Sequence, residues 1–169
     1  MTLPRVPGER RSTPNLRSTS GGMDVDCRLE APKLKQLLAY WQSRRPAADR
    51  LPGRADIDPV DIPSLLPHIF LIDVRREPRA YRYRLFGTEL VDAYGRDVTG
   101  KALDELFSDI FRKAVTVVFN HVVDHRAPLR TFGSLAWRET ERVPFEGIQM
   151  PLAADGATVD MILGAMIYH

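Results

Sequence analysis

The chain has 169 residues, 44% of them apolar and 27% charged, a composition that suits one globular core and excludes a disordered chain or a long coiled coil. The net charge is only +2, and the first 22 residues carry four arginines against one glutamate, so the excess basicity belongs to the N-terminus and does not indicate nucleic-acid binding. A single cysteine, Cys27, excludes an intramolecular disulfide, and no apolar run is long enough to cross a membrane, so we expect a cytoplasmic protein.

Residues 1–30 are predicted to be a disordered basic tail. Its first 22 residues are rich in Pro, Gly, Ser, Thr and Arg and have almost nothing apolar to bury, so ordering them would cost entropy without return. Met23 follows directly and is an alternative translation start, which leaves open whether residues 1–22 belong to the native protein.

Residues 31–50 are predicted to contain an amphipathic helix that ends at Pro46. Leu34, Leu37, Leu38 and Trp41 follow the i, i+3, i+4, i+7 spacing of one helix face. Such a stripe needs an apolar surface to cover, and two candidates remain: the sheet of the same domain or a second copy of the chain.

Residues 51–169 are predicted to form an α+β domain. A proline-rich segment comes first, in which Asp58 is placed to cap a short helical turn at Pro59. The elements expected after it are a hairpin of strands at 68–74 and 81–86, two short helices within 88–107, and a long helix over 108–125.

Three further strands are predicted at 129–137, 145–152 and 159–169. Asp155-Gly156 is a strong turn signal between the last two. The final strand is apolar on both faces, which is typical of a strand in the middle of a covered sheet. We therefore expect a five-stranded antiparallel sheet with the short helices and the longer helix on one face, and the N-terminal amphipathic helix in addition.

Several motifs of this chain resemble the PAS fold. They are YRYRLFGTELVDAYGRDVTGKALDELF (81–107), the upstream LPGRADIDPVDIPSLLPHIFLIDV (51–74) and the leading WQSRR helix. Their order is similar to that of a stand-alone bacterial PAS subfamily formerly labelled a domain of unknown function, over about residues 31–169. The resemblance implies a PAS-like sheet and a sensory or protein-interaction module in bacterial signalling; such modules often dimerise, and some hold haem, flavin or a small metabolite between sheet and helices.

The residues of this chain bear on which of these cofactors it could bind. The covalent flavin switch of light-sensing members needs a cysteine that 88–100 lacks, and Cys27 lies outside the domain. His121 and His125, at i, i+4 on the long helix with Asp124 between them, are candidate haem ligands, or candidate metal ligands if a third ligand comes from elsewhere. Histidines near a helix C-terminus are also explained by the helix dipole alone.

A small-molecule pocket, if the chain has one, is expected between the sheet and the helices. Gln149 and Tyr94 are the polar side chains that could orient a ligand there. The expected lining residues are Phe70, Ile72, Phe86, Tyr94, Phe107, Val118, His121, Phe132, Ile148, Gln149, Met150, Met161 and Leu163. The alternative is that these side chains fill an ordinary close-packed core.

No catalytic motif is recognisable, and the carboxylates of Asp56 and Asp58 are explained by turns and capping. We therefore expect a non-catalytic sensory or regulatory module that binds a small ligand, a signalling protein, or both. The alternatives are an enzyme with His121 as general base and a ligand-free interaction adaptor. The expected contacts are a homodimer through Leu34, Leu37, Leu38 and Trp41 with the outer sheet face, and no nucleic acid or membrane.

Overall fold

A computed structural model describes residues 20–106, 109–136 and 142–169 and has an α+β fold. The strands are β1 (Ser20–Asp24), β2 (Ile69–Arg76), β3 (Arg79–Phe86), β4 (Leu129–Ala136), β5 (Arg142–Leu152) and β6 (Met161–Tyr168). The helices are α1 (Pro32–Ser43), α2 (Thr88–Tyr94), α3 (Leu103–Leu106) and α4 (Asp109–His125). No helix in the described part of the chain is long and apolar enough to span a bilayer.

The six strands form one antiparallel sheet in the order β1-β4-β5-β6-β2-β3. The predicted β2–β3 hairpin is confirmed, and β5 and β6 pair along their length on either side of the Asp155-Gly156 turn. β6 lies between β5 and β2 and is almost entirely buried, which agrees with its apolar character on both faces. The prediction of five strands was one short.

The additional strand, β1, comes from the segment that was predicted to be a disordered tail. Ser20–Asp24 pairs with β4, which would otherwise be an unpaired edge, and Gly22 lies opposite Phe132. Residues 20–30 therefore correct that prediction, because backbone hydrogen bonds to an exposed edge can order a segment that has little apolar surface of its own. Residues 1–19 lie outside the described residues.

Helix α1 covers one face of this sheet. Leu34, Leu37 and Trp41 are each at most 2% exposed, and the indole N–H of Trp41 donates to the carbonyl of Pro151 at 2.9 Å. The domain's own sheet is thus the surface that the apolar stripe covers. A homodimer through these side chains has no support in the structure, because they are already buried within their own chain.

A buried ionic group attaches the start of α1 to the sheet. The carboxylate of Glu146 on β5, 3% exposed, accepts the backbone N–H groups of Glu30 and Ala31 at 2.9 and 2.7 Å. It also receives the Nε–H of Arg130 at 2.6 Å. Ala31 offers no capping side chain, so Glu146 supplies the negative charge that the N-terminus of a helix favours.

The remaining helices cover the opposite face. α2 ends at Gly95, whose φ of +86° lies in the left-handed region that glycine adopts easily. α4 buries Phe119, Val122 and Val123, while Ile110 and Val117 are 68% and 53% exposed. Before these helices, Asp58 caps the short turn Pro59–Asp61 by accepting the N–H of Val60 at 2.9 Å, as predicted.

Candidate functional site

The strand register divides the sheet into two faces. Because the Glu146 side chain contacts the start of α1, the even-numbered residues of β5 face α1; we call this the outer face. Gln149 lies on the opposite, inner face, in register with Gly164 of β6 and, through it, with Phe70 of β2. The ring of Phe70 lies 6.4 Å from that of Phe119, which places α4 over the inner face.

The register separates the side chains that the sequence grouped into one pocket. Phe70, Ile72, Phe86 and Gln149 are on the inner face, near Tyr94 of α2 and Val118 of α4. The outer face instead holds Phe132, Ile148, Met150, Met161 and Leu163. This corrects the predicted pocket, since residues on opposite faces cannot line one cavity; Phe107 lies outside the described residues.

Aromatic rings fill much of the inner face. Phe70, Tyr83, Phe86 and Tyr94 follow one another with ring centroids 5.5 to 6.2 Å apart. The ring of Phe70 lies directly over Gly164, where even a methyl group would overlap it. These rings form a dense apolar layer between the sheet and the helices.

Gln149 is a buried inner-face residue of the predicted set whose side chain is only partly hydrogen-bonded. Its side chain is 4% exposed, and its Nε2–H donates to Oγ1 of Thr131 at 3.1 Å. Its Oε1 is buried and has no hydrogen-bond partner among the described residues. An unpartnered buried acceptor costs about 1 to 3 kcal/mol, so this atom calls for an explanation.

The ionisable groups beside this layer are held neutral. Burial raises the pKa of Tyr83 and of Tyr168, and it raises the pKa of Tyr81 to about 12. These phenols therefore keep their protons at physiological pH. Such a face suits a neutral ligand with one hydrogen-bond donor better than an ion.

The two histidines of α4 do not fit the role of haem ligands. Their rings stack with centroids 3.9 Å apart, and Nδ1 of His125 lies 3.0 Å from the carbonyl oxygen of His121. His125 is exposed, and His121 lies about 100° around the helix from fully buried Val122. Neither ring is on the side of α4 that faces the sheet.

A metal site at these histidines also lacks a third ligand. Within the described ranges no group of three or more His, Cys, Asp or Glu side chains is arranged to hold a metal ion. Burial, and then the neighbouring His125, lower the pKa of His121, which favours the neutral form of its ring.

Two cavities lie where the sequence did not place a site, along the free side of β3. One, of about 150 Å³, is lined by Arg79, Ala80, Tyr81, Leu103, Asp104, Thr116 and Asn120. The other, of about 410 Å³, is lined by Asp73, Val74, Arg75, Ala80, Tyr81, Arg82, Ala102 and Asp104. None of the described residues of the predicted pocket lines either cavity. The sequence signal for this region is the alternation of tyrosine and arginine in YRYR, which predicted only a strand.

A six-stranded antiparallel sheet with helices on one face and a separate N-terminal helix on the other is the architecture of a single-sheet α+β domain. The family model described as PAS domain matches residues 29–167, and the chain therefore belongs to the PAS domain family. That membership indicates a sensory or regulatory role in general. No curated protein matches the chain significantly.

Proposed function

We propose that this PAS domain is a non-catalytic sensory module that holds a small, neutral ligand on the inner face, with Gln149 as its anchor. The observation that carries the proposal is the buried Oε1 of Gln149, which accepts no hydrogen bond from the part of the chain that the structure describes. A ligand O–H or N–H that donates to this atom would remove the cost of burying it.

The neighbours of Gln149 support a ligand of limited size. Gly147 and Gly164 flank it on the inner face, and the ring of Phe70 lies over Gly164, so the space beside the amide is small. The aromatic layer above is closely packed, so ligand entry requires Phe70 or a residue of α4 to move. A bound ligand would thereby change the position of α4, which gives the module a means of response.

A ligand-free adaptor is the second candidate, and the dense aromatic layer favours it. An adaptor would bind its partner through its surface alone, and Gln149 would then be a tolerated defect of the core. The enzyme alternative has less support, because His121 lines neither of the two cavities described above.

The experiment that separates these candidates combines native mass spectrometry and an absorbance scan with a Gln149→Met variant. If the proposal holds, the purified protein retains a small molecule, and Gln149→Met loses that mass and lowers the melting temperature. Gln42→Met, at an exposed position of α1, is the matched control and leaves both readings unchanged.

The opposite result is equally clear. If the wild-type protein carries no additional mass and Gln149→Met raises the melting temperature, the substitution has only removed an unsatisfied buried acceptor. That outcome rejects the ligand and leaves the adaptor.

A further inference from the structure

β3 is an outer strand of the sheet, and its free side is only partly covered. The segment 100–102 pairs with it near Tyr83, whose N–H donates to the carbonyl of Lys101 at 2.9 Å while its carbonyl accepts the N–H of Gly100 at 2.6 Å. Beyond this point, towards the hairpin tip, no other described strand lies beside Arg79–Tyr81. An uncovered strand edge of this kind is a template for pairing with another extended chain.

The two cavities make this edge a groove. Both are lined by Ala80, Tyr81 and Asp104, so they adjoin each other at this part of β3. Arg75 and Arg82 line the larger cavity, and residues of α3 and α4 line the smaller one. Cavities that border successive residues of a strand suit an extended peptide better than a compact ligand.

The hairpin beside the groove carries more arginines than carboxylates. The β2–β3 hairpin contains five arginines, namely Arg75, Arg76, Arg79, Arg82 and Arg84. Two of them have carboxylate partners: Arg84 lies 3.3 Å from Asp73, and Arg79 lies 2.9 Å from Asp124.

The other three arginines contact only backbone carbonyls among the described residues. Arg75 donates to Pro78 at 3.4 Å, Arg76 to Val159 at 3.2 Å and Arg82 to Gly100 at 2.6 Å. All three residues are exposed, so their charges are available to a partner. Neutral carbonyl contacts leave the full positive charge of a guanidinium in place.

We propose that this groove docks an extended acidic segment of a partner protein, which adds a strand beside Arg79–Tyr81 and places its carboxylates against Arg75 and Arg82. Strand addition supplies affinity through backbone hydrogen bonds, and the arginine wall supplies selectivity for acidic side chains. A nucleic acid is a poorer match, because it has no peptide groups with which to extend the sheet.

The inference rests on the proposed regulatory role only in that a sensor needs a partner to act on. It does not depend on Gln149 or on any ligand of the inner face. The two proposals can therefore fail separately, since each has its own variants and its own measurement.

The test uses the full chain and fluorescence anisotropy with a labelled short peptide that alternates Glu and Val, which places all its carboxylates on one face of a strand. We expect this probe to bind, and we expect Arg82→Glu and Arg75→Glu each to weaken binding about tenfold, because they set like charges against each other. Lys35→Glu, an equal change of charge at an exposed position of α1, leaves binding within about twofold of the wild type.

Two further probes complete the test. The same peptide with methylated amide nitrogens keeps its charge but cannot pair as a strand, so we expect it not to bind; equal binding would overturn strand addition. A peptide that alternates Lys and Val should also fail to bind. The proposal is overturned if the acidic probe shows no binding up to about 1 mM, the range of the weakest specific complexes, or if a DNA oligonucleotide binds in its place.

Discussion

The two faces of the sheet are both buried, but they differ in their buried polar side chains. Those that join the outer face to α1 all have hydrogen-bond partners, whereas one on the inner face lacks a partner in the part of the chain that the structure describes. Beneath α1, the Trp41 indole donates to a carbonyl, and the Glu146 carboxylate receives three donors. On the inner face, the amide oxygen of Gln149 receives no hydrogen bond from the described residues. The contrast indicates that the outer face serves stability and that the inner face retains a cost that binding could offset.

The largest expected effect is on the outer face, from Trp41→Ala. The side chain is 2% exposed, so its removal leaves a large cavity and removes the N–H that donates to the carbonyl of Pro151. We expect the free energy of unfolding to fall by about 4 kcal/mol. Urea denaturation measures this loss.

A matched substitution on the same helix provides the control. Gln42→Ala, at an exposed position next to Trp41, should change the free energy of unfolding by less than about 0.5 kcal/mol. The comparison of faces fails if Trp41→Ala costs no more than Gln42→Ala. A change in oligomeric state without a loss of stability would instead support a homodimer through α1.

The sequence predicts those parts of the fold whose segments show a clear hydrophobic period or a turn motif. The α1 stripe, the alternation in Tyr81–Phe86 and the Asp155-Gly156 turn each have a local signal, and the structure has the corresponding elements. Ser20–Asp24 has no such signal, because its order comes from pairing with the edge of β4. Local periodicity cannot reveal a strand that is stabilised by a distant partner.

The candidate site was predicted less well than the fold. β5 and β6 are apolar on both sides, so their sequences could not tell which residues face α1 and which face α4. Ile148 and Gln149 were therefore assigned to one pocket, although they point to opposite faces. The partners of Glu146 and the groove beside β3 depend on residues far apart in the chain, which no local motif records.

The second prediction tests the ionic attachment of α1. Glu146→Gln keeps the shape of the side chain but removes the charge that Arg130 and the two backbone N–H groups bind. We expect a loss of about 3 kcal/mol, because hydrogen bonds to a buried charged group are the strong ones. Glu89→Gln, at an exposed position, is the control and should have little effect.

The same group predicts how stability depends on pH. Burial alone would raise the pKa of Glu146, but the Ala31 N–H, Arg130 and the Glu30 N–H outweigh it and hold that pKa below the ordinary 4.5. The hydrogen bonds of Arg28 likewise lower the pKa of Asp24 from 3.8 to about 2. Since the unfolded chain binds more protons, stability is fully present above pH 4.5 and falls as the pH drops towards 2.

Urea midpoints measured across this range check the sign. Glu146→Gln should flatten the curve just below pH 4.5 and leave the decline that Asp24 causes at lower pH. A wild-type midpoint that stays constant down to pH 2 would contradict the ionic attachment.

The smallest expected effect is on the inner face, from Gly164→Ala. A methyl group at this position overlaps the ring of Phe70, which is itself held between Tyr83 and Phe119. If the aromatic layer is rigid, the overlap costs about 2 kcal/mol of unfolding free energy, as overpacking of a filled core does. Ala165→Gly, at the neighbouring outer-face position, is the control for a change of one methyl group.

The size of the Gly164→Ala loss also measures how easily Phe70 can move, which ligand entry requires. A loss well below that of Ala165→Gly would show that the ring shifts readily and that the inner face is deformable, as a sensor needs. A loss of about 2 kcal/mol or more would show a fixed layer, because that is the cost of overpacking a filled core. That outcome would weigh against a ligand beside Gln149 and favour an adaptor that works through its surface.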